Sequence, residues 1–285
     1  MEIKAPAKLN LYLKVLGKMP DGYHRIETVF ERIALFDEIS VDPSESTSIE
    51  CTDPQIPVDT ESLMGKAVSV FRDLTGEKGF KIKVKKNIPV GAGLGGGSSD
   101  AAAILTALNE LCGKPLDRGA LCQAGRKLGA DVPFFLEETC FAAGKERGDH
   151  IRAIQTEIKL HHVLVNPPFE ISTAEIYSSV DPLSLTENKG IDKIISVFSH
   201  GASAGDIARN LHNDLQSIAL GKFPEIGGIL SELMRTSPEG ALMSGSGPTV
   251  FGIYESGSEA AEAEEKLSGA FPSSAGWKVM RAVTY

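Results

Sequence analysis

Residues 89–103 read Pro89-Val90-Gly91-Ala92-Gly93-Leu94-Gly95-Gly96-Gly97-Ser98-Ser99-Asp100-Ala101-Ala102-Ala103, and five of the first nine are glycine. Glycine reaches positive φ without steric cost and lets another group approach the backbone closely. Ser98, Ser99 and Asp100 are N-cap residue types. Residues 101–111 are strong helix formers with Ile104, Leu108 and Leu111 on one face. Gly113 stands where such a helix would stop. The stretch therefore reads as a glycine loop feeding a helix N-terminus. Free backbone amides and the positive end of the helix dipole meet there, which is the physics of a phosphate site.

Two well-known phosphate loops can be tested against it. Gly91 and Gly96 have P-loop spacing, but Gly97 stands where the lysine belongs. Gly91, Gly93 and Gly96 match the dinucleotide fingerprint, which needs a second strand with an acidic residue about 20 residues on. Here Pro115-Leu116-Asp117 and a second helical pattern over 118–128 follow instead. A Rossmann unit is rejected, and a third kind of phosphate loop remains.

At 285 residues the chain suits one large or two medium domains, and an apolar content of 42% is enough for real cores. The net charge of −9 argues against non-specific binding to nucleic acid or to an anionic membrane. A nucleotide has to be captured by local geometry. Cys51, Cys112, Cys122 and Cys140 are scattered, with neither zinc spacing nor a disulfide framework. Met1-Glu2-Ile3-Lys4 lacks the regions of a signal peptide, and no apolar run reaches transmembrane length. A cytoplasmic protein with reduced thiols is expected, as a monomer or weak homodimer.

Ala7, Leu9, Leu11, Leu13 and Val15 alternate with Lys8, Asn10, Tyr12 and Lys14. Residues 5–15 thus read as a strand with Lys8 and Asn10 side by side on its polar face. On local grounds Lys8 is a solvated lysine. Pro20-Asp21-Gly22 is turn chemistry and presents Tyr23 and His24 at a loop edge, where a ring pair is more often packing than ligand. Strands are expected at 26–36 and 38–51, a helix at 61–75, and a strand at 80–84 with Lys81, Lys83 and Lys85 facing solvent. Gly129-Ala130-Asp131-Val132-Pro133 places Asp131 on a turn, where an Asx turn is its bland reading. Val132 precedes proline and should be extended. Short strands are expected at 140–144 and 149–154, around Lys145-Glu146-Arg147.

The composition shifts near 155–159, which divides the chain into domains 1–157 and 158–285. The second holds a strand at 162–166 and a short capped helix at 172–178 carrying Thr173 and Tyr177. Helices at 190–199, 204–219 and 223–236 follow. Strands at 240–243 and 249–254 flank Ser244-Gly245-Ser246-Gly247-Pro248, and a helix at 258–267 and a strand at 277–283 complete it. Strands and helices in both halves give an α+β fold in two lobes.

Three separated stretches resemble the GHMP kinases. Ala5-Pro6-Ala7-Lys8-Leu9-Asn10-Leu11-Tyr12-Leu13 is similar to their first motif, residues 89–102 to their phosphate loop, and Met243-Ser244-Gly245-Ser246-Gly247-Pro248-Thr249 to their third motif. Lys14-Val15-Leu16-Gly17-Lys18-Met19-Pro20-Asp21-Gly22-Tyr23-His24 and Gly129-Ala130-Asp131-Val132-Pro133-Phe134-Phe135 narrow the resemblance. They look like the branch that phosphorylates a cytidine-diphosphate-linked polyol on the non-mevalonate route to isoprenoid precursors. The likeness spans nearly the whole chain. It implies an N-terminal ribosomal-protein-S5-domain-2-like lobe and a C-terminal ferredoxin-like lobe, with the site between them. It implies ATP, Mg²⁺ and small-molecule substrates, with no nucleic acid and no membrane. By this resemblance Lys8 and Asp131 are the catalytic pair. Pro89, Val90, Gly91, Ala92, Gly93, Leu94, Gly95, Gly96, Gly97, Ser98 and Ser99 wrap the ATP phosphates. Tyr23 and His24 hold the cytosine, with Asn10, Thr173 and Tyr177 as further substrate contacts. The chain departs from the family pattern at Lys145-Glu146-Arg147, which leaves the adenine contacts there unassigned.

The residue types suit these roles. An aspartate can accept a hydroxyl proton late in phosphoryl transfer, and a lysine can stabilise the acceptor oxygen. A tyrosine ring can stack on a pyrimidine, and histidine offers its edge both a donor and an acceptor. Without a P-loop lysine, cationic help must come from Mg²⁺, whose ligands the sequence does not identify, and from elsewhere in the fold. Two rivals are weighed. A GHMP kinase for mevalonate, homoserine or a sugar has no base to stack on Tyr23-His24. A non-catalytic nucleotide-binding relative has no use for both Lys8 and Asp131.

Overall fold

A long hairpin frames the N-terminal half. In the computed structural model, which describes residues 1–180, 190–199 and 201–285, β1 (Glu2–Lys18) pairs antiparallel with β2 (His24–Ser44). β2 runs unbroken where two strands are expected. Its segment beyond Asp37 pairs with β1 on one side, from Glu38↔Lys4 to Ser40↔Glu2, and with β4 on the other, so two ladders carry it across the expected break. The chain then turns into the separate β3 (Ser48–Cys51), parallel to β4 (Gly79–Lys85).

Between these strands, α1 (Leu63–Thr75) is capped by Ser62 and stopped by left-handed Gly76. α2 (Gly96–Leu111) and α3 (Arg118–Leu128) follow, the latter capped by Asp117. Ile104 and Leu108 of α2 and Phe71 of α1 pack on Ile39, Val41 and Ile82 of the sheet. Leu111 is the exception to the expected apolar face, being 36% exposed. α4 (Val132–Leu136) corrects the extended geometry expected for Val132. Pro133 falls in the first turn, where a helix needs no backbone N–H. β5 (Phe141–Lys145) and β6 (His150–Ile154) extend the sheet from β2.

The chain next crosses to a second sheet with β7 (His161–Asn166), then α5 (Thr173–Ser178), α6 (Asp192–Phe198) and α7 (Ala204–Ala208). The single helix expected over 204–219 is interrupted by β8 (His212–Asn213), which returns to the first sheet parallel to β1. The cause is Asn213, whose extended backbone ends the pairing while its side chain caps α8 (Asp214–Lys222) at Leu215 N–H, 2.9 Å away. α9 (Glu225–Met234), β9 (Gly240–Met243), β10 (Val250–Tyr254), α10 (Gly257–Ala270) and β11 (Lys278–Val283) complete the chain.

Among the described residues, seven strands form the first sheet, and four form the second in the order β11-β7-β10-β9. Leu9, Leu11 and Ile33 of the first sheet share one apolar core with Leu164, Phe251 and Leu242 of the second. The two lobes are therefore packed on each other through this shared core. Among the described residues, no helix is long and apolar enough to cross a membrane.

Candidate active site

The glycine loop begins where β4 ends, and a buried charge cluster holds it there. Asp37 Oδ1 accepts from the amides of Asn87 and Ile88 at 2.6 and 2.9 Å. Its other oxygen meets Lys86 Nζ, which also donates to Asp100 Oδ2 at 2.7 Å on the first turns of α2. One lysine thus ties the start of the loop to the helix at its end. Burial pushes the Asp100 carboxyl up to about 7 against the pull of Lys86. The lysine is held above its usual range because the two carboxylates outweigh its own burial. Sequence reading missed Lys86. The signal was available, since two consecutive lysines, Lys85 and Lys86, cannot share one face of a strand.

The helix cap also differs from expectation. Gly95, left-handed at φ 70°, is the N-cap of α2, so Ser98, Ser99 and Asp100 lie inside its first turns. The first amide of this helix with an internal backbone partner is that of Ser99, bonded to Gly95 O at 2.9 Å. Those of Gly96, Gly97 and Ser98 precede it at the helix end, which is the arrangement that receives a phosphate. Ser99 is buried and does not line the cavity, whereas residues 89–98 do.

Close contacts with both lobes fix the loop in place. The Lys8 amide donates to Leu94 O at 2.9 Å, and Thr249 N–H to Ala92 O at 3.3 Å. Ser244 Oγ donates to Gly93 O at 3.0 Å and accepts from the Asn10 amide at 3.3 Å. Asn213 Nδ2 holds the carbonyls of Met243 and Gly245, both at 2.8 Å. The Ser244–Pro248 turn is thus a structural clamp on the glycine loop, with Gly245 and Ser246 reaching the cavity.

Lys8 and Asn10 do share one face of β1, but that face is buried, with Lys8 4% exposed. The solvated reading of Lys8 is therefore corrected. The second lobe and the glycine loop cover it, so its charge has to be matched. Lys8 Nζ donates to Asn10 Oδ1 and stands 3.5 Å from Asp131 Oδ2, and it lies over the Phe30 ring. Asn10 Nδ2 donates to Thr28 Oγ1 at 2.7 Å, which fixes the amide and the lysine it supports. Asp131 precedes α4 with helical backbone and makes no capping bond, so its Asx-turn reading is set aside. Its carboxylate faces Lys8 instead, at 30% exposure.

One cavity of about 1200 Å³ contains this pair, the loop, and the rings expected to hold a base. His24 and Tyr177 pack at 5.2 Å between centroids, and Tyr23 stands outward, 57% exposed. Burial first, then Lys18, holds His24 below its ordinary value, so the imidazole is neutral at neutral pH. Burial, with Asp131 second, pushes the Tyr177 phenol up. Thr173 Oγ1 and Ser246 Oγ are 2.8 Å apart across the cavity rim. The Lys145–Gly148 turn, left unassigned by sequence, sets Arg147 on Tyr23. Ile56, Pro57, Leu63 and Met64 give the cavity an apolar wall.

A loop of amides, a lysine–carboxylate pair and a half-open cavity between the lobes define a small-molecule phosphotransferase. Residues 62–138 match the GHMP kinases N terminal domain and residues 191–273 the GHMP kinases C terminal domain, and the chain belongs to the GHMP kinase family of ATP-dependent kinases. It is 39% identical over 278 residues to the 4-diphosphocytidyl-2-C-methyl-D-erythritol kinase of Syntrophotalea carbinolica, covering 96% of this chain and 95% of the relative. A crystal structure of 4-(cytidine 5'-diphospho)-2C-methyl-D-erythritol kinase superposes with a TM-score of 0.82 at 32% identity, covering 99% of this chain and 98% of that one. The Methanococcus jannaschii mevalonate kinase matches at a TM-score of 0.70 and 17% identity, covering 100% and 98%, a likeness of fold alone.

Proposed function

We propose that the chain transfers the γ-phosphoryl group of ATP to the 2-hydroxyl of 4-diphosphocytidyl-2-C-methyl-D-erythritol, a step of the non-mevalonate isoprenoid pathway in the cytoplasm. It works as a monomer or weak homodimer, with residues 1–157 as the ATP-binding domain and 158–285 as the C-terminal one. The carrying observation is that one cavity holds both the Lys8–Asp131 pair and the Tyr23, His24 and Tyr177 rings. Kinases of the same fold that act on mevalonate or homoserine have no base to place against those rings.

In this reading the amides of residues 89–98 hold the nucleotide phosphates. The acceptor oxygen attacks the γ-phosphorus, the bond to the β,γ-bridging oxygen breaks, and ADP leaves with that electron pair. Asp131 accepts the hydroxyl proton, and Lys8 steadies both Asp131 and the acceptor oxygen. Among the described residues no group of three or more His, Cys, Asp or Glu could hold a metal. A magnesium ion here would be held mainly by the nucleotide, with one or two protein oxygens of the cavity lining such as the Ser98 hydroxyl. When bound, the ion neutralises charge on the β- and γ-phosphate oxygens. Neutral His24 gives the base edge one donor and one acceptor, with Asn10, Thr173 and Tyr177 lining the acceptor's place. The test is ATP consumption with the cytidine substrate beside its uridine analogue, mevalonate and homoserine. Turnover confined to the cytidine compound is expected. Equal rates on the uridine analogue, or preference for mevalonate or homoserine, would overturn the assignment.

A further inference from the structure

Tyr23 is the least supported of the three rings. His24 and Tyr177 lean on one another, whereas more than half of Tyr23 meets solvent. An exposed tyrosine at a loop edge samples several rotamers, and a stacking surface binds well only when its orientation is set beforehand. The partner the structure gives this ring is the Arg147 guanidinium, its Cζ 5.2 Å from the ring centroid.

Arg147 is itself held. Its Nη2 donates to Asp149 Oδ2 at 2.9 Å, and Asp149 is 3% exposed. The other oxygen of Asp149 is buried with no partner among the described residues, so this carboxylate is directed wholly at one arginine. The turn that presents Arg147 is also fixed. Glu146 adopts φ 60° and Gly148 φ 94°. The carbonyl of Glu146 accepts from Ile26 N–H at 2.6 Å, which ties the turn to the strand just after Tyr23 and His24. Arg147 lines the same cavity as those rings.

We infer that Arg147 is a positioning residue for the acceptor: anchored by Asp149, it stacks on one face of Tyr23 and presets the ring for the substrate's base. The inference rests on the proposed function. The planar guanidinium can meet a carboxylate edge-on and a ring face-on at once, which a lysine ammonium cannot do.

The test is a double-mutant cycle of Arg147→Ala and Tyr23→Leu. It is read as the Kd of cytidine diphosphate by calorimetry, with the KM of acceptor and of ATP in turnover. Arg147→Lys, which leaves Asp149 a cationic partner, covers the case in which the alanine variant misfolds. Arg147→Ala should raise the cytidine diphosphate Kd and the acceptor KM about five- to tenfold, the reach of a partly desolvated cation–π contact. ATP KM should stay within about twofold, Arg147→Lys should fall between, and Arg147→Ala should change nothing further once Tyr23 is leucine. An unchanged Kd, or an ATP KM that rises in step, overturns the inference and leaves the proposed function standing. An undiminished effect in the Tyr23→Leu background also overturns it, since the arginine would then meet the ligand directly. If the unaltered protein neither binds cytidine diphosphate nor uses the acceptor, the proposed function falls and this inference with it.

Discussion

Gly93→Ala tests whether the phosphate loop works only when clamped between the lobes. Gly93 has φ +74°, and a Cβ there would lie 2.2 Å from the Ser244 carbonyl oxygen. That oxygen belongs to backbone, and the turn is tied to the loop through Ser244 Oγ to Gly93 O at 3.0 Å. An ordinary contact of about 3.5 Å therefore requires the loop and the turn to separate by about 1 Å. Gly113 supplies the control, with φ +76° and nothing within 4 Å of its Cβ position. Gly113→Ala should cost only the left-handed backbone penalty of about 1–2 kcal/mol, and lower Tm by about 2–6 °C. Gly93→Ala should add about 1–3 kcal/mol of overpacking. Displacing the phosphate loop by about 1 Å should also lower turnover about 100-fold. Thermal melts by circular dichroism, ATP calorimetry and kcat on both variants are the assay. Equal melting shifts in the two, or undiminished turnover in Gly93→Ala, would refute the clamp.

Other outcomes follow from the same geometry. Asp131→Asn should keep ATP affinity while turnover falls by about 10²–10⁴-fold, because an amide cannot take the proton; wild-type turnover removes Asp131 from the chemistry. Burial and then Lys18 hold His24 below its ordinary value, so acceptor KM should rise only toward acid. Lys18→Ala should move that acid limb to higher pH, and a limb that stays put or moves the other way contradicts the electrostatics. Asp100 is pushed up to about 7 by burial, so between the ordinary carboxylate range and that value the folded state holds a proton that the unfolded chain has lost. Stability should therefore decline as pH rises through that window and level off above it. Asp100→Asn should abolish that slope in urea melts, and parallel profiles for the two proteins would count against it.

Local chemistry was legible in the sequence. The glycine loop declares itself because Gly91, Gly93 and Gly95 all take positive φ, a demand that few other residues meet. The period of two in β1 put Lys8 beside Asn10 before any coordinate did. What the period could not tell is that both faces of β1 are covered, since a second lobe arrives from residues far along the chain. The Asp37–Lys86–Asp100 cluster needs three separated segments of the first lobe to meet. Asp100 had a sufficient local explanation as a cap type, and the sequence's one trace of the cluster was that Lys86 cannot share a strand face with Lys85. Asn213 resembles any polar residue inside a helical pattern. Its role as a cap and as a clamp on Gly245 depends on β8 finding β1, which no local rule contains.

The charges around the loop say how it must act. Lys8 is matched by Asp131, and Lys86 lies between Asp37 and Asp100. Beside the glycine loop, then, each of these lysines already faces at least one carboxylate, and in the proposed reading the pair of them brings no surplus positive charge to a nucleotide. Attraction has to come from dipoles, the loop amides and the end of α2, which carries about half a positive charge. Dipoles do not titrate and fall off steeply with misalignment, so binding by them depends on the backbone staying where it is. That explains why so much of the structure is devoted to immobilising the loop. Lys86 ties its two ends, the Leu94 carbonyl is bonded to the Lys8 amide, and Ser244 and Thr249 hold Gly93 and Ala92 from the other lobe. On the proposed mechanism, the uncharged residues that hold the loop are therefore as necessary to phosphoryl transfer as Lys8 and Asp131.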